Sequence, residues 1–107
     1  MSDALVVLIT APSREVGEMI AETLVGEQLA ACVNLLGPVR SIYRWQGAIT
    51  RDDEILLIAK TTRDRYPALE ARVQAVHPYD TPEIIALPIE MGSAAYLAWL
   101  TGETGKA

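Results

Sequence analysis

The apolar positions at the start of the chain change from a strand pattern to a helix pattern. Residues 4–10 (ALVVLIT) form an unbroken apolar run with β-branched side chains, which is typical of a central strand buried on both faces. After a turn at Pro12 and Ser13, residues 14–27 carry apolar side chains at helical spacing. This part of the chain therefore predicts a strand and then an amphipathic helix that Ser13 caps.

The middle of the chain predicts a long hairpin. It is strand-like over residues 29–45 and again over residues 49–62, with a polar interruption at residues 51–53, and Gln46 and Gly47 fit a tight turn between the limbs. At ~3.3 Å per residue the second limb spans ~45 Å, whereas a domain with a radius of gyration near ~13 Å is only ~35 Å across. The hairpin tip should therefore project beyond its own domain, and its apolar side chains suggest that other subunits cover it.

The second half of the chain predicts a helix, a strand and a closing helix. Apolar side chains recur at helical spacing over residues 64–77, Pro78 ends that helix, and residues 83–90 read as the fourth strand. Ser93 is a typical N-cap for the final helix. The order βαββαβ plus a helix predicts a ferredoxin-like α+β sandwich, formed as a single domain by residues 1–107.

Composition and charge narrow the classes of function. Half of the residues are hydrophobic, which is apolar for so small a domain and favours burial between subunits. Nine basic residues against fourteen acidic ones give a net charge of −5, which argues against nucleic acid as a partner. The single cysteine fits a reducing compartment, and the first apolar run is too short for a signal core or a membrane span. We therefore expect a cytoplasmic oligomer that binds neither nucleic acid nor membrane.

The segment before the fourth strand carries the most chemistry, and we call residues 77–83 the histidine loop. His77 and Thr81 each precede a proline, which favours extended backbone and makes the loop stiff. A stiff loop that presents the imidazole of His77, the phenol of Tyr79 and the carboxylates of Asp80 and Glu83 could bind a small ligand or a metal ion. The alternative is a plain connector in which Asp80 forms an Asx turn.

Four more residues are candidates for a ligand cleft or a subunit interface. Cys32 lies in a small-residue strand and is either a packing residue or a thiolate ligand. Tyr43 and Trp45 share one face of their strand, where they either pack against another subunit or wall a pocket. Lys60 either emerges at the end of its strand or pairs with a carboxylate of the histidine loop.

Three segments resemble the CutA family of divalent-cation-tolerance proteins, and the likeness extends from the first strand to the final helix. They are residues 29–34 (LAACVN), 41–47 (SIYRWQG) and 77–89 (HPYDTPEIIALPI). The resemblance implies a ferredoxin-like fold, a homotrimer similar to the trimeric PII signalling proteins, and a link to copper and other divalent metals. Members credited with copper binding use a cysteine at the end of the first strand and a histidine pair before Pro-Tyr. Here Ile9 and Val76 occupy two of those positions, and only His77 remains.

No motif of a complete enzyme accompanies this histidine. The chain has no Gly-rich phosphate loop, nucleophile elbow or HExxH, and the sequence reveals no nucleophile for one histidine to activate. The leading hypothesis is a non-enzymatic homotrimer that binds a divalent metal weakly through His77, Asp80 and Glu83, with copper favoured by the usual affinity order. A PII-like sensor that binds a small ligand in inter-subunit clefts is the second hypothesis, and a scaffolding trimer without a ligand is the third.

Overall fold

A computed structural model describes residues 3–105, and it confirms the predicted order of strands and helices. In chain order the elements are β1 (Ala4–Ala11), α1 (Arg14–Gly26), β2 (Cys32–Trp45), β3 (Ala48–Thr62), α2 (Tyr66–Val76), β4 (Ile84–Pro88) and α3 (Ala94–Glu103). The strands form one sheet in the order β2-β3-β1-β4, and every neighbouring pair is antiparallel. This is the predicted ferredoxin-like α+β fold with a closing helix.

Local chemistry explains where the helices begin and end. Ser13 and Ser93 are N-caps whose hydroxyl oxygens accept from the backbone N–H groups of Val16 and Tyr96, as predicted. Helix α2 ends at Val76, one residue earlier than predicted, because the following residue precedes a proline and is held in extended backbone.

The core lies between one face of the sheet and the helices α1 and α2. In the centre of the sheet the strand residues that point to this side have no exposed surface, and the helices meet them with equally buried side chains. The fully buried members include Val7, Ile9, Ile20, Leu24, Leu57, Leu69 and Val73. Every second strand residue thus packs into this core, and the residues between them point to the other side of the sheet.

The other side of the sheet is only partly covered. Leu100 of α3 packs on Ala4 and Ala31 at one end of it. Beyond that helix, seven apolar side chains stand together without further cover from the described residues, and we call them the open face. They are Val6, Leu8, Leu36, Leu56, Ile58, Ile85 and Leu87. Leu36, Ile85 and Leu87 are each about half exposed, at 47%, 51% and 49%.

The hairpin of β2 and β3 extends past the helices, as its length predicts. The described chain measures 44 × 26 × 21 Å, so it is strongly elongated. Gln46 and Gly47 form the predicted turn with φ angles of 50° and 80°. The polar residues 51–53 do not interrupt β3, which runs through them as a continuous strand. Near the tip, Ile42, Trp45 and Ile49 are all at least 60% exposed.

Within residues 3–105 the helices are too short or too polar to cross a membrane.

A buried hydroxyl of β3 holds the connection between α1 and β2, and its removal should destabilise the fold. Thr61 is fully buried, and its hydroxyl donates to the carbonyl oxygen of Leu29 at 2.6 Å. Thr61→Val keeps the shape but leaves that carbonyl unpaired, so we expect a loss of about 1–3 kcal/mol in the free energy of unfolding. Denaturant unfolding at one fixed protein concentration measures it. Thr101→Val, at an exposed position of α3, is the control and should stay within about 0.5 kcal/mol of the wild type.

Candidate functional site

A cleft of about 670 Å³ lies between the hairpin and the histidine loop. Its walls come from three parts of the chain that are distant in sequence: the end of β1, the outer half of the hairpin and the loop before β4. The lining residues are Thr10, Ser41, Ile42, Tyr43, Trp45, Asp52, Glu54, Tyr79, Asp80, Thr81 and Glu83. The fold thus brings together the aromatic residues of the hairpin and the carboxylates of the loop.

The hairpin wall of the cleft pairs tyrosines with carboxylates. Asp52 and Glu54 lie two residues apart on β3, and Ser41 and Val39 of β2 stand opposite them, so both carboxylates share one side of the hairpin. The hydroxyl of Tyr43 donates a short hydrogen bond to the Asp52 carboxylate. This hydrogen bond, together with partial burial and the charge of Asp52, raises the pKa of Tyr43 from 10.0 to about 12.

Tyr79 joins the loop to the hairpin. Its hydroxyl donates to Oε2 of Glu54 at 3.4 Å, and Glu54 is only 7% exposed. Burial raises the pKa of Tyr79, and the charge and hydrogen bond of Glu54 raise it further. The phenol therefore stays neutral and remains a hydrogen-bond donor to Glu54 well above neutral pH.

His77 holds the histidine loop in place and does not line the cleft. Its Nε2 is 2.8 Å from the carbonyl oxygen of Thr10, which can only accept, so Nε2 carries the proton. Its Nδ1 accepts from the backbone N–H of Tyr79 at 3.1 Å. The ring is 7% exposed and lies 4.9 Å from the ring of Tyr79. Both nitrogens are thus engaged in hydrogen bonds that hold the loop, and a metal contact of His77 stays a prediction.

The described residues of one chain do not fit a preformed divalent-metal site. Asp80 and Glu83 line the cleft, but residues 3–105 contain no group of three or more His, Cys, Asp or Glu side chains placed to hold a metal ion. His77 could become a ligand only by giving up its hydrogen bond to Thr10 or to Tyr79. A metal site in this protein would therefore need ligands from a second copy or a rearranged loop.

Cys32 and Lys60 lie away from the cleft, next to the open face. They face each other across β2 and β3. Lys60 donates a short hydrogen bond to Oδ1 of Asn34, and Sγ of Cys32 is 4.0 Å from the same oxygen. The alternative in which Lys60 pairs with the histidine loop is therefore wrong. Cys32 is a half-buried free thiol beside the hydroxyl of Tyr96. Burial raises the pKa of Tyr96, and the nearby thiol raises it further.

The cleft gathers Tyr43, Trp45, Tyr79, Asp80 and Glu83 from the predicted set.

Sequence reasoning missed Asp52 and Glu54, which supply half of the carboxylates in the cleft. A signal was present, because carboxylates at alternate positions of a strand face the same way. Their position on the same side of the hairpin as Tyr43 and Trp45 depends on the pairing of β2 with β3. A register shift between Leu36 and Val39 sets that pairing, and spacing along the sequence does not reveal it.

The chain was compared with known protein families and with solved structures. Residues 5–103 match the model of the CutA1 divalent ion tolerance protein family. The chain belongs to this family. It is 56% identical over 100 residues to the divalent-cation tolerance protein CutA of Thermus thermophilus, a match that covers 94% of this chain and 97% of that protein.

Solved structures of the family share the fold along its whole length. The crystal structure of CutA from Xylella fastidiosa superposes with a TM-score of 0.95 at 40% identity, covering 97% of this chain and 100% of that chain. The crystal structure of CutA1 from Oryza sativa gives a TM-score of 0.95 at 42% identity, covering 99% of this chain and 97% of the other. The resemblance stated from the sequence motifs is thus confirmed as family membership.

The hydrogen bond between Tyr43 and Asp52 should be visible in an alkaline titration. Because the pKa of Tyr43 rises from 10.0 to about 12 on folding, its stabilising effect is complete below pH 10 and is lost as the pH rises towards 12. Asp52→Asn removes the charge and should lower this pKa towards 10.0. Tyrosinate absorbance, followed by pH titration, measures the shift. Asp53→Asn changes a carboxylate on the opposite side of β3 and should leave the titration curve unchanged. A titration curve unaffected by Asp52→Asn would contradict the hydrogen bond between Tyr43 and Asp52.

Proposed function

We propose that the protein is a non-enzymatic homotrimer that acts in divalent-cation tolerance. The observation that carries the proposal is the family match, which includes a Thermus thermophilus relative named for divalent-cation tolerance and similar over nearly its full length. The lining of the cleft is consistent with a binding role, since four carboxylates in a concave surface attract cations.

Assembly follows from the open face and the hairpin. Two exposed apolar surfaces are of the kind that marks an interface: the seven side chains of the open face, and Ile42, Trp45 and Ile49 at the hairpin tip. A single chain has no further element among the described residues to cover them. We therefore infer that other copies bury them, and the number three comes from the resemblance to the CutA family.

Metal binding in this proposal is weak and shared between copies. The histidine loop offers Asp80 and Glu83 to an ion, while His77 keeps its nitrogens in hydrogen bonds. Two carboxylates are too few for a tight site, so ligands from a neighbouring copy would have to complete it. Copper is the ion that we expect to bind best, because it leads the affinity order for divalent metals at sites of this type.

A PII-like sensor is the second candidate function, and the cleft is the observation that favours it. A cavity of about 670 Å³ with aromatic and carboxylate walls is within the size range of small-molecule sites. Its hairpin wall lies on the same side of the sheet as the open face, so in an assembly the cleft would open beside the subunit interface. A ligand bound there could change how subunits or a partner protein contact the hairpin.

One substitution on the open face should break the assembly. Ile85→Glu puts a carboxylate where another copy is expected to pack, and burying an unpaired charge costs several kcal/mol. We expect the variant to sediment as a smaller species than the wild type at micromolar concentration. Met19→Glu is the matched control, because Met19 on α1 is an apolar residue that is 40% exposed, close to the 51% of Ile85. This variant should keep the wild-type mass.

Circular dichroism of both variants separates loss of assembly from loss of fold. A folded Ile85→Glu variant with the wild-type mass would show that the open face is not the interface.

Copper binding should depend on assembly. Calorimetric titration of the wild type should give a dissociation constant no tighter than about micromolar, since the donors are carboxylates. Ile85→Glu should weaken binding at least about tenfold, whereas Met19→Glu should not, because only the first variant separates the copies. In the wild type the ring of His77 is bonded to Thr10 and Tyr79 and not to the ion, so His77→Gln should weaken binding less than Ile85→Glu does.

Equal copper affinity in Ile85→Glu and the wild type would place every ligand within one chain. A loss in His77→Gln larger than that in Ile85→Glu, with the circular dichroism and thermal unfolding of the wild type retained, would contradict the fastening role and indicate that the ring ligates the ion.

A further inference from the structure

The charged side chain of Lys60 borders the open face. Lys60 lies opposite Val6 of β1 and Cys32 of β2, and it points to the same side of the sheet as the open face. It is partly buried, and the next residue of β3 on this side is the apolar Ile58. An ammonium group therefore stands at the margin of an apolar surface that we expect another copy to cover.

This ammonium group has one partner in its own chain. It donates a short hydrogen bond to Oδ1 of Asn34. Both ion pairs among residues 3–105 use arginine, so no carboxylate in this part of the chain pairs with Lys60. An ammonium carries three N–H donors, so two of them have no protein partner among the described residues.

Covering the open face would take water away from the ammonium group of Lys60. A buried charge without a counter-charge is costly, because the lost hydration is not replaced. The amide oxygen of Asn34 satisfies one donor but supplies no negative charge. The copy that covers the open face must therefore bring a carboxylate to Lys60.

Asp52, on the outer half of the hairpin, is the complementary group. It points to the same side of the sheet as Lys60, is partly buried, and accepts from the hydroxyl of Tyr43, which leaves acceptor positions free. Glu54 shares this side but is buried against Tyr79, so it is less accessible to a neighbour. In one chain the part of β3 between Lys60 and Asp52 spans ~26 Å at ~3.3 Å per residue, so the two cannot meet.

We propose that Lys60 of one copy and Asp52 of the next copy form an ion pair at each subunit interface. A closed ring joins unlike patches of identical chains, so the patch around Lys60 can meet the patch around Asp52 at every interface. The hairpin projects beyond the helices, which places Asp52 on a part of the chain that reaches towards a neighbour. The pair gives each buried charge its counter-charge. This proposal rests on the proposed assembly and names the charged contact within it.

Charge reversal tests the proposal by sedimentation at micromolar concentration. Lys60→Glu sets two carboxylates against each other at each interface, so it should sediment as a smaller species than the wild type. Lys60→Glu combined with Asp52→Lys in one chain reverses every pair and should restore the wild-type mass. Asp53→Lys is the matched control, because it makes the same change on the other side of β3. It should keep the wild-type mass by itself and should not rescue Lys60→Glu.

Milder variants decide the matter if circular dichroism shows that charge reversal prevents folding. Lys60→Met and Asp52→Asn should each speed the exchange of subunits between labelled and unlabelled assemblies at least about tenfold, because each leaves the other charge unpaired. The double variant should stay within about twofold of the faster single variant, since both members of the pair are then gone. Asp53→Asn should exchange as the wild type does.

The proposal is overturned if Lys60→Glu keeps the wild-type mass, or if Asp52→Lys rescues it no better than Asp53→Lys does. It is also overturned if the effects of Lys60→Met and Asp52→Asn on exchange multiply in the double variant, because they then act independently. In each of these cases the wild type is still an assembly, and the proposed function stands. A wild type with the mass of one chain at micromolar concentration would instead overturn the assembly, and the ion pair with it.

Discussion

The sheet of this protein has a helical layer over one face and exposed apolar side chains over most of the other. Because strand side chains alternate, every residue that fills the core beneath α1 and α2 has neighbours that point the opposite way. In the middle of the sheet those neighbours are apolar on β1, β3 and β4, namely Val6, Leu8, Leu56, Ile58, Ile85 and Leu87. A small domain cannot bury a second apolar face by itself, so one chain folds fully but leaves an apolar surface exposed. The proposed assembly would cover that surface.

The same geometry connects the fold to the cleft. The hairpin projects beyond the helices, so helices do not line the cleft. The hairpin forms one wall of the cleft, and the histidine loop and the end of β1 form the rest. His77 secures that junction, because it donates to Thr10 of β1 and accepts from the backbone of Tyr79. Tyr79 in turn reaches Glu54 on β3. The buried imidazole of His77 thus links the end of β1, the histidine loop and, through Tyr79, β3 around the cleft. These contacts account for the burial of the single histidine.

Much of the fold could be predicted from the sequence, because its local signals agree with one another. The Gln46–Gly47 turn, the serine caps and the prolines each act within a few residues, and the hydrophobic periods fix which face of each element is buried. The candidate site was harder to predict, since its members come from three segments. Lys60 illustrates the limit: its partner Asn34 lies across the hairpin, and neither charge nor spacing identifies a neutral cross-strand partner. His77 was recognised as important, but its buried hydrogen bonds depend on how β1 meets the loop.

Sedimentation equilibrium of the wild-type protein, from micromolar down to nanomolar concentration, tests the central claim most directly. If the open face and the hairpin are buried between copies, the mass should remain at three times that of the 11.6 kDa chain throughout this range. Obligate interfaces of this apolar kind dissociate only at great dilution. A well-folded species with the mass of one chain at micromolar concentration would contradict the account, because the open face would then be stable in water without a partner.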